Sequence, residues 1–238
     1  MAREKVLVLV RATPEKSSKY GLTVCIAGIN ENLEWRRLYP FSFSFGKKSI
    51  DFKKKDLIEV EVTVPDNDKR SESRKVLQSN NLNQPQSDKE VLHKIAPLIT
   101  SIERLTQQKA SLGIIKPKLE GIEVVLNDTK LHDDQTYLSI TQGFLERREK
   151  VKMPVELSYK FKCENEATCK GHNITLIDWE LNELTRNLLR RETQREVIEQ
   201  KIKAKFYDFM KERDLHFIMG THFIYKTWII IGIFYPPK

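Results

Sequence analysis

Residues 5–11 of the chain read KVLVLVR, and residues 22–29 read LTVCIAGI. Both runs are short, apolar and rich in β-branched side chains, and the turn-forming stretch from Thr13 to Gly21 separates them. This pattern predicts two buried strands, because strands are short and favour β-branched residues. The chain therefore opens on β-structure.

More strands are predicted within the first 65 residues. A tight turn at Asn30 precedes a strand at residues 35–39, and the segment DLIEVEVTV at residues 56–64 alternates in polarity up to Pro65. Four or five strands without an intervening helix indicate a small barrel of the OB or SH3-like kind. Residues 66–88 are polar and rich in Asn, Gln and Ser, and they predict a loop or linker.

Helical spacing begins after this polar segment. Ser87 or Asp88 is placed to cap a helix, and Pro97 should kink or split it. Strand patterns return from Leu112 onward and at residues 154–163, where apolar and polar side chains alternate.

The C-terminal part mixes the two patterns. Helical spacing runs from Trp179 to Met210, with a break predicted near Thr193. Two apolar strands, at residues 215–223 and 226–236, should complete the sheet that begins near residue 112.

The predicted fold class is therefore α+β, with two small β-rich (OB/SH3-like barrel) modules and helices in the C-terminal half. We expect an N-terminal barrel-like module with its linker at residues 1–84 and a connecting helix at residues 85–110. Residues 111–238 would form the second β module, with a helical insertion.

Composition limits the classes of function that the protein can have. The chain has 41 Lys and Arg against 33 Asp and Glu, a net charge of +8, which favours polyanionic partners without reaching a histone-like excess. Three cysteines do not make a disulfide framework, and no N-terminal apolar leader is evident. The longest apolar run near the C-terminus, Trp228 to Tyr235, is too short for a membrane span. We expect a cytoplasmic protein without membrane contact.

A cluster of potential metal ligands follows the strand that ends at residue 163. Cys163, Cys169 and His172 fall within ten residues, and Gly171 would let the backbone turn tightly enough to aim His172 at the sulfurs. The pattern predicts a zinc site. The alternative is that Cys163 ends a core strand while Cys169 and His172 occupy a polar loop.

The fourth zinc ligand is left open by the sequence. The candidates are Cys25, His216, His222, Asp178 or a water molecule. A water ligand would make the site open and potentially catalytic. Asp178 is more simply explained as the cap of the following helix, and His222 as a turn residue without chemistry.

Cations and aromatic rings interleave in the first module, a pattern typical of single-stranded nucleic-acid binding. The alternative is a solvated loop with rings such as Phe41 and Phe52 in the core. The candidate nucleic-acid-binding residues are Trp35, Arg36, Arg37, Lys47, Lys48, Lys53, Lys54 and Lys55.

Several segments resemble an uncharacterised prokaryotic family with dual OB-like domains. They are residues 20–28, residues 35–40, the knuckle from Cys163 to His172 with the Asp-Trp-Glu that follows at residues 178–180, and residues 228–237. The spacing of five residues between the cysteines is one longer than the usual family form. The resemblance implies the architecture and a place in a defence or mobile-element system; it implies no established activity.

The leading hypothesis is a zinc-stabilised nucleic-acid-binding protein, for DNA or RNA, with a possible protein partner. A metal-dependent nuclease or related hydrolase that uses an open zinc site with His222 or Asp178 is the second hypothesis. A protein-interaction subunit is the third. The chain has no Gly-rich phosphate loop, G-x-S-x-G or H-E-x-x-H motif, which removes the usual support for nucleotide hydrolysis, α/β-hydrolase chemistry and ordinary metalloprotease chemistry.

Overall fold

The described residues of the N-terminal module form six strands. A computed structural model of the chain describes residues 1–12, 15–17, 20–42, 50–127, 154–222 and 226–238. The strands are β1 (Ala2–Arg11), β2 (Glu15–Ser17), β3 (Gly21–Asn30), β4 (Trp35–Ser42), β5 (Asp56–Thr63) and β6 (Ser73–Pro85). These strands confirm the predicted β-rich start.

Five of the strands close into a barrel. The first half of β1 pairs with β5 and its second half pairs with β3, so one long strand contributes to both sides. The ring continues from β3 to β4, from β4 to β6 and from β6 back to β5, and only the β4–β6 pair is parallel. Its interior holds apolar side chains such as Val8, Ile26 and Leu38.

The prediction of a loop or linker over residues 66–88 was wrong for residues 73–85. Residues 73–85 form β6, a barrel strand that is hydrogen-bonded to β5 on one side and to β4 on the other. Ser73 is the one residue of β6 that is buried, so the strand lacks the apolar alternation on which the sequence reading depended. Backbone pairing to two neighbouring strands holds most of this polar segment, and Val76 adds a contact with the barrel core.

The connection to the second module confirms the expected capping and splitting of a helix. The hydroxyl of Ser87 accepts a hydrogen bond from the backbone N–H of Glu90, and the Glu90 carboxylate accepts one from the backbone N–H of Ser87. Pro97 lies in the 3₁₀ turn that ends this helix. The elements are α1 (Asp88–Ile95), the 3₁₀ turn Ala96–Leu98, β7 (Ile99–Thr100) and α2 (Ile102–Gln107).

In the residues that the structure describes, the second module is a seven-stranded sheet with helices between β11 and β12. Its further strands are β8 (Leu112–Ile115), β9 (Pro117–Leu126), β10 (Val155–Cys163), β11 (His172–Leu176), β12 (His216–Thr221) and β13 (Trp228–Phe234). Its helices are α3 (Trp179–Leu189) and α4 (Arg195–Lys203), which continues through a π-helical turn (Ala204–Asp208) into α5 (Phe209–Lys211). The predicted break near Thr193 and the predicted closing strands are both confirmed.

The second sheet repeats the pairing order of the first barrel. Only Lys116 separates β8 from β9, so the two act as one bent strand. Its first part pairs with β12 and its second part with β10, and the order then runs through β11 and the parallel partner β13 back to β12. The hydrogen-bonded circuit is thus closed by the continuity of the chain at Lys116.

A shared core joins the two modules. Leu9 and Ile29 of the first barrel pack in one buried cluster with Ile95 of α1 and with Ile114 and Ile231 of the second sheet. The helix near residue 90 therefore contacts both modules and ties them together. No helix in the described parts of the chain is both long and apolar enough to cross a bilayer.

Candidate metal centre and inter-module cleft

The knuckle between β10 and β11 brings its three predicted ligands together. Cys163 is the last residue of β10 and His172 is the first of β11, while Cys169 lies in the turn between them. Gly171 adopts a φ of 97°, which favours glycine, and so allows the tight return. The Sγ of Cys169 lies 3.2 Å from Nε2 of His172.

Helix α2 contributes a fourth side chain to this group. Glu103 places Oε1 3.1 Å from Nε2 of His172. One ligand atom from each of Glu103, Cys163, Cys169 and His172 lies within 4.8 Å of every other, and this set could hold a metal ion. We call these four residues the metal cluster.

None of the four side chains proposed from the sequence as the fourth ligand belongs to this cluster. Cys25 lies in β3 of the first barrel, and Asp178 bonds to a lysine. His216 Nδ1 lies 3.0 Å from the carbonyl oxygen of Asp214, and His222 lies in the turn after β12. Glu103 could not be identified from the sequence, because it lies 60 residues before Cys163 in a helix that contains no metal-ligand motif.

The environment of the metal cluster fits a cation. Oε2 of Glu103 is buried without a hydrogen-bond partner among the described residues, an arrangement that is costly unless something else binds that oxygen. Burial raises the pKa of the Cys163 thiol to about 12, so without a metal this thiol is protonated. Two sulfurs, an imidazole and a carboxylate form a donor set that zinc accepts.

A cleft of about 460 Å³ opens between the two modules. Its walls are the end of β1 and the loop at residues 53–55 on one side, and the start of α3 and the end of β13 on the other. Asp88 at the start of α1 lies at its edge. This volume is typical of a ligand site.

A buried ion pair connects the two sides of the cleft. The Lys54 ammonium lies 2.8 Å from the carboxylate of Asp178 and 3.0 Å from that of Glu180, and the Asp178 side chain is 0% exposed. Burial alone would lower the pKa of Lys54, but the two carboxylates raise it above its usual value. Asp178 also caps α3 by accepting a hydrogen bond from the backbone N–H of Glu180, as predicted.

Two other cations of the cleft have no carboxylate partner in the described part of the chain. The guanidinium of Arg11 donates one hydrogen bond, to the carbonyl of Phe52, and burial lowers its pKa. The Lys53 side chain forms no ion pair within the described ranges, whereas Lys55 pairs with Asp88 at 2.8 Å. Arg11 and Lys53 therefore offer uncompensated positive charge to the cleft.

Aromatic rings complete the walls. Trp179, Phe234 and Tyr235 line the cleft, and all three are partly exposed. The Tyr235 hydroxyl donates a hydrogen bond to the Glu180 carboxylate at 3.4 Å, which holds its ring beside the ion pair. The cleft thus combines cationic with aromatic side chains. Trp179 and Tyr235 are uncharged and lie far from the basic segment in sequence, so the charge pattern does not point to them.

The predicted nucleic-acid-binding residues fall into two groups. Lys53, Lys54 and Lys55 line the cleft. The others that the structure describes lie elsewhere: Arg36 is buried against Glu4 and Glu34, Arg37 donates to the Ser111 carbonyl across the module interface, and Trp35 packs against the shared core. Lys47 and Lys48 lie outside the described residues.

The alternative prediction, that Phe41 and Phe52 lie in the core, is confirmed. Phe41 and Phe52 are buried inside the first barrel, with ring centroids 5.4 Å apart. They therefore contribute to folding and cannot form a stacking platform.

These features define a two-module β-rich protein with a potential metal centre and a cationic cleft. The chain belongs to the family described as Domain of unknown function (DUF8757), whose model matches residues 97–238. The model described as Domain of unknown function (DUF8758) matches residues 2–95. The two adjacent matches support an uncharacterised two-domain family.

Comparisons with curated proteins and with solved structures give no further assignment. No curated protein matches the chain. One similar solved structure is the "Crystal structure of the tetrameric p202 HIN2", at 8% identity and a TM-score of 0.31, over 100% of this chain and 92% of that chain. A TM-score this low does not establish a shared fold.

Proposed function

We propose that the protein binds single-stranded nucleic acid, DNA or RNA, in the cleft between its modules, and that a zinc ion at the metal cluster stabilises the second module. The observation that carries the proposal is the cleft itself. It places Arg11 and Lys53, which lack carboxylate partners in the described ranges, opposite Trp179 and Tyr235. Phosphates need the cations, and unpaired bases stack on the rings.

The strand order supports the same reading. A first strand shared between two neighbours and a parallel pairing of the third and fifth strands are features of OB barrels, many of which bind oligonucleotides. Both modules have this order. The two-barrel architecture expected from the sequence is thus part of the proposal.

The usual OB binding face is less suited than the cleft in either module. In the first module, the outer side chains of the first two barrel strands, such as Leu7 and Ile29, are buried in the shared core. In the second, the outer face carries balanced ion pairs, such as Lys160 with Glu123. Balanced pairs leave little net charge for phosphates.

Zinc suits the metal cluster better than a hard cation does. Two thiolates and an imidazole favour zinc over magnesium or calcium, and the carboxylate of Glu103 completes four ligands. A complete set of four protein ligands is typical of structural zinc, whereas catalytic zinc keeps one position for water. The nuclease hypothesis loses support for this reason, and because Asp178 is bound to Lys54 outside the cluster.

Oligonucleotide binding tests the proposal. Fluorescence anisotropy would compare labelled single strands of about 12 nucleotides with a duplex of the same length. We expect the wild type to prefer single strands and the R11Q/K53Q double variant to bind them at least about tenfold more weakly. The control variant K118Q/K162Q removes two charges from the outer face of the second module and should bind like the wild type.

Two outcomes would overturn the proposal. One is that the wild type binds no oligonucleotide, which would favour a protein-interaction subunit. The other is that the cleft variant and the control variant bind equally well.

A further inference from the structure

A ridge of cations and rings adjoins the cleft at Tyr235. The Tyr235 ring lines the cleft and also lies 6.2 Å, centroid to centroid, from the ring of Phe209, in an edge-to-face arrangement. The Lys205 ammonium lies 5.4 Å from the Tyr235 ring centroid and 3.8 Å from that of Phe209. Tyr235 therefore belongs to both surfaces.

The ridge continues along the end of the helix. The Arg213 guanidinium lies 4.4 Å from the Phe209 ring centroid, and the Lys211 ammonium lies 4.6 Å from that of Tyr207. We define the ridge as Lys205, Tyr207, Phe209, Lys211 and Arg213.

The ridge cations are held by rings and not by carboxylates. None of the three forms an ion pair within the described ranges, although Asp208 and Glu212 stand on the same helix. A cation over a ring face is attracted by the ring and keeps its charge. The rings thus fix the positions of three cations without neutralising them.

The local backbone is also unusual. Residues Ala204–Asp208 form a π-helical turn, and it contains both Lys205 and Tyr207. Such turns are rare and occur frequently at functional sites. A purely solvated helix face would need neither this turn nor a row of cations without acidic partners.

We propose that the ridge is a second subsite for single-stranded nucleic acid, which takes the phosphates of nucleotides that leave the cleft over Tyr235. The inference rests on the proposed function of the cleft. The cleft volume of about 460 Å³ holds a short piece of the strand, and the ridge holds the nucleotides next to it. The subsite therefore acts on strands long enough to leave the cleft.

The dependence of binding on strand length tests this inference. For the wild type, we expect affinity to rise from a dinucleotide to a single strand of about eight nucleotides, since each added phosphate contact releases counterions. The K205Q/R213Q variant should lose roughly tenfold affinity for the longer strand and almost none for the dinucleotide. The control K201Q/K203Q removes two charges from α4 without touching a ring contact, and it should keep the length dependence.

The remaining results separate binding from folding. The charge-conserving variant K205R/R213K should bind like the wild type, even if K205Q/R213Q loses stability. Equal losses for both strand lengths, or equal losses in the control, would overturn the ridge subsite while leaving the cleft proposal in place. A wild type that binds neither strand would remove both.

Discussion

Replacing Glu103 with glutamine tests whether the metal cluster binds zinc. The E103Q variant keeps the side-chain volume but removes the negative charge and one strong oxygen ligand. Without metal, burial raises the pKa of the Glu103 carboxyl but hydrogen bonds lower it overall, so the variant loses a modest stabilisation even when no zinc is present. The substitution should therefore lower stability much more when zinc is bound than when it is absent.

The size of the effect follows from the ligand count. Loss of an outer-shell partner costs about 10–100-fold in metal affinity, so loss of one of four ligands should cost at least about 100-fold. At saturating zinc, a hundredfold weaker affinity removes about 2.7 kcal/mol of stability. For a chain of this size that corresponds to a fall in Tm of about 5–11 °C.

Thermal unfolding with added zinc and with a chelator measures this difference. We expect E103Q to melt well below the wild type in zinc, and only slightly below it in chelator. The control is E166Q. The Glu166 carboxylate accepts hydrogen bonds from Ser101 and from Arg104, at the start of the helix that carries Glu103, but Glu166 does not belong to the metal cluster. Its effect should be the same in both conditions. An E103Q effect that does not depend on zinc would refute the reasoning.

The remaining predictions concern the ion pairs and the chain path. K54M should cost about 3–5 kcal/mol in urea unfolding, because it leaves the buried Asp178 carboxylate without its cation; a cost below about 1 kcal/mol would contradict a buried pair. Hydrogen bonds and charge from Arg70 offset burial and lower the pKa of Asp68 from 3.8 to about 2, so its carboxylate stabilises the fold above about pH 4. D68N should cost about 2 kcal/mol at neutral pH, and the difference should shrink as pH falls toward 2; a difference that does not depend on pH would contradict it. Limited proteolysis should spare residues 73–85, and early cleavage there would contradict the assignment of β6.

Much of the fold could be predicted from the pattern of apolar residues. The strands β1 and β3 are continuous runs rich in β-branched residues, β5 and β10 alternate in polarity, and the turn, cap and proline signals placed the helices correctly. The strand β6 could not be found in this way, because its neighbours hold it by backbone bonds while its side chains stay largely in solvent. The side-chain pattern of the sequence therefore gives no signal for a strand of this kind.

The candidate site was predicted only in part. Cys163, Cys169 and His172 are close in sequence, so their spacing revealed them, whereas Glu103 arrives from a distant helix. The partner of Lys54 lies 124 residues away, and a charge pattern holds no information about contacts that only the tertiary fold creates. A segment that looked like a solvated lysine loop therefore contains a buried ion pair.

This pair also changes how the basic loop should be tested. Neutralising Lys53, Lys54 and Lys55 together would break the contact between Lys54 and Asp178, so a loss of nucleic-acid binding could reflect unfolding. Variants of Lys53 and Arg11 avoid this problem, because neither side chain forms an ion pair within the described ranges.

The salt dependence of single-strand binding tests the central claim most directly. The logarithm of the binding constant should fall linearly with the logarithm of salt concentration, with a slope of about −0.7 for each phosphate contact. We predict that R11Q/K53Q flattens this slope by about 1.4, the amount expected for two lost contacts, with little change in Tm. An unchanged slope would show that Arg11 and Lys53 do not meet phosphates and would contradict nucleic-acid binding in the cleft.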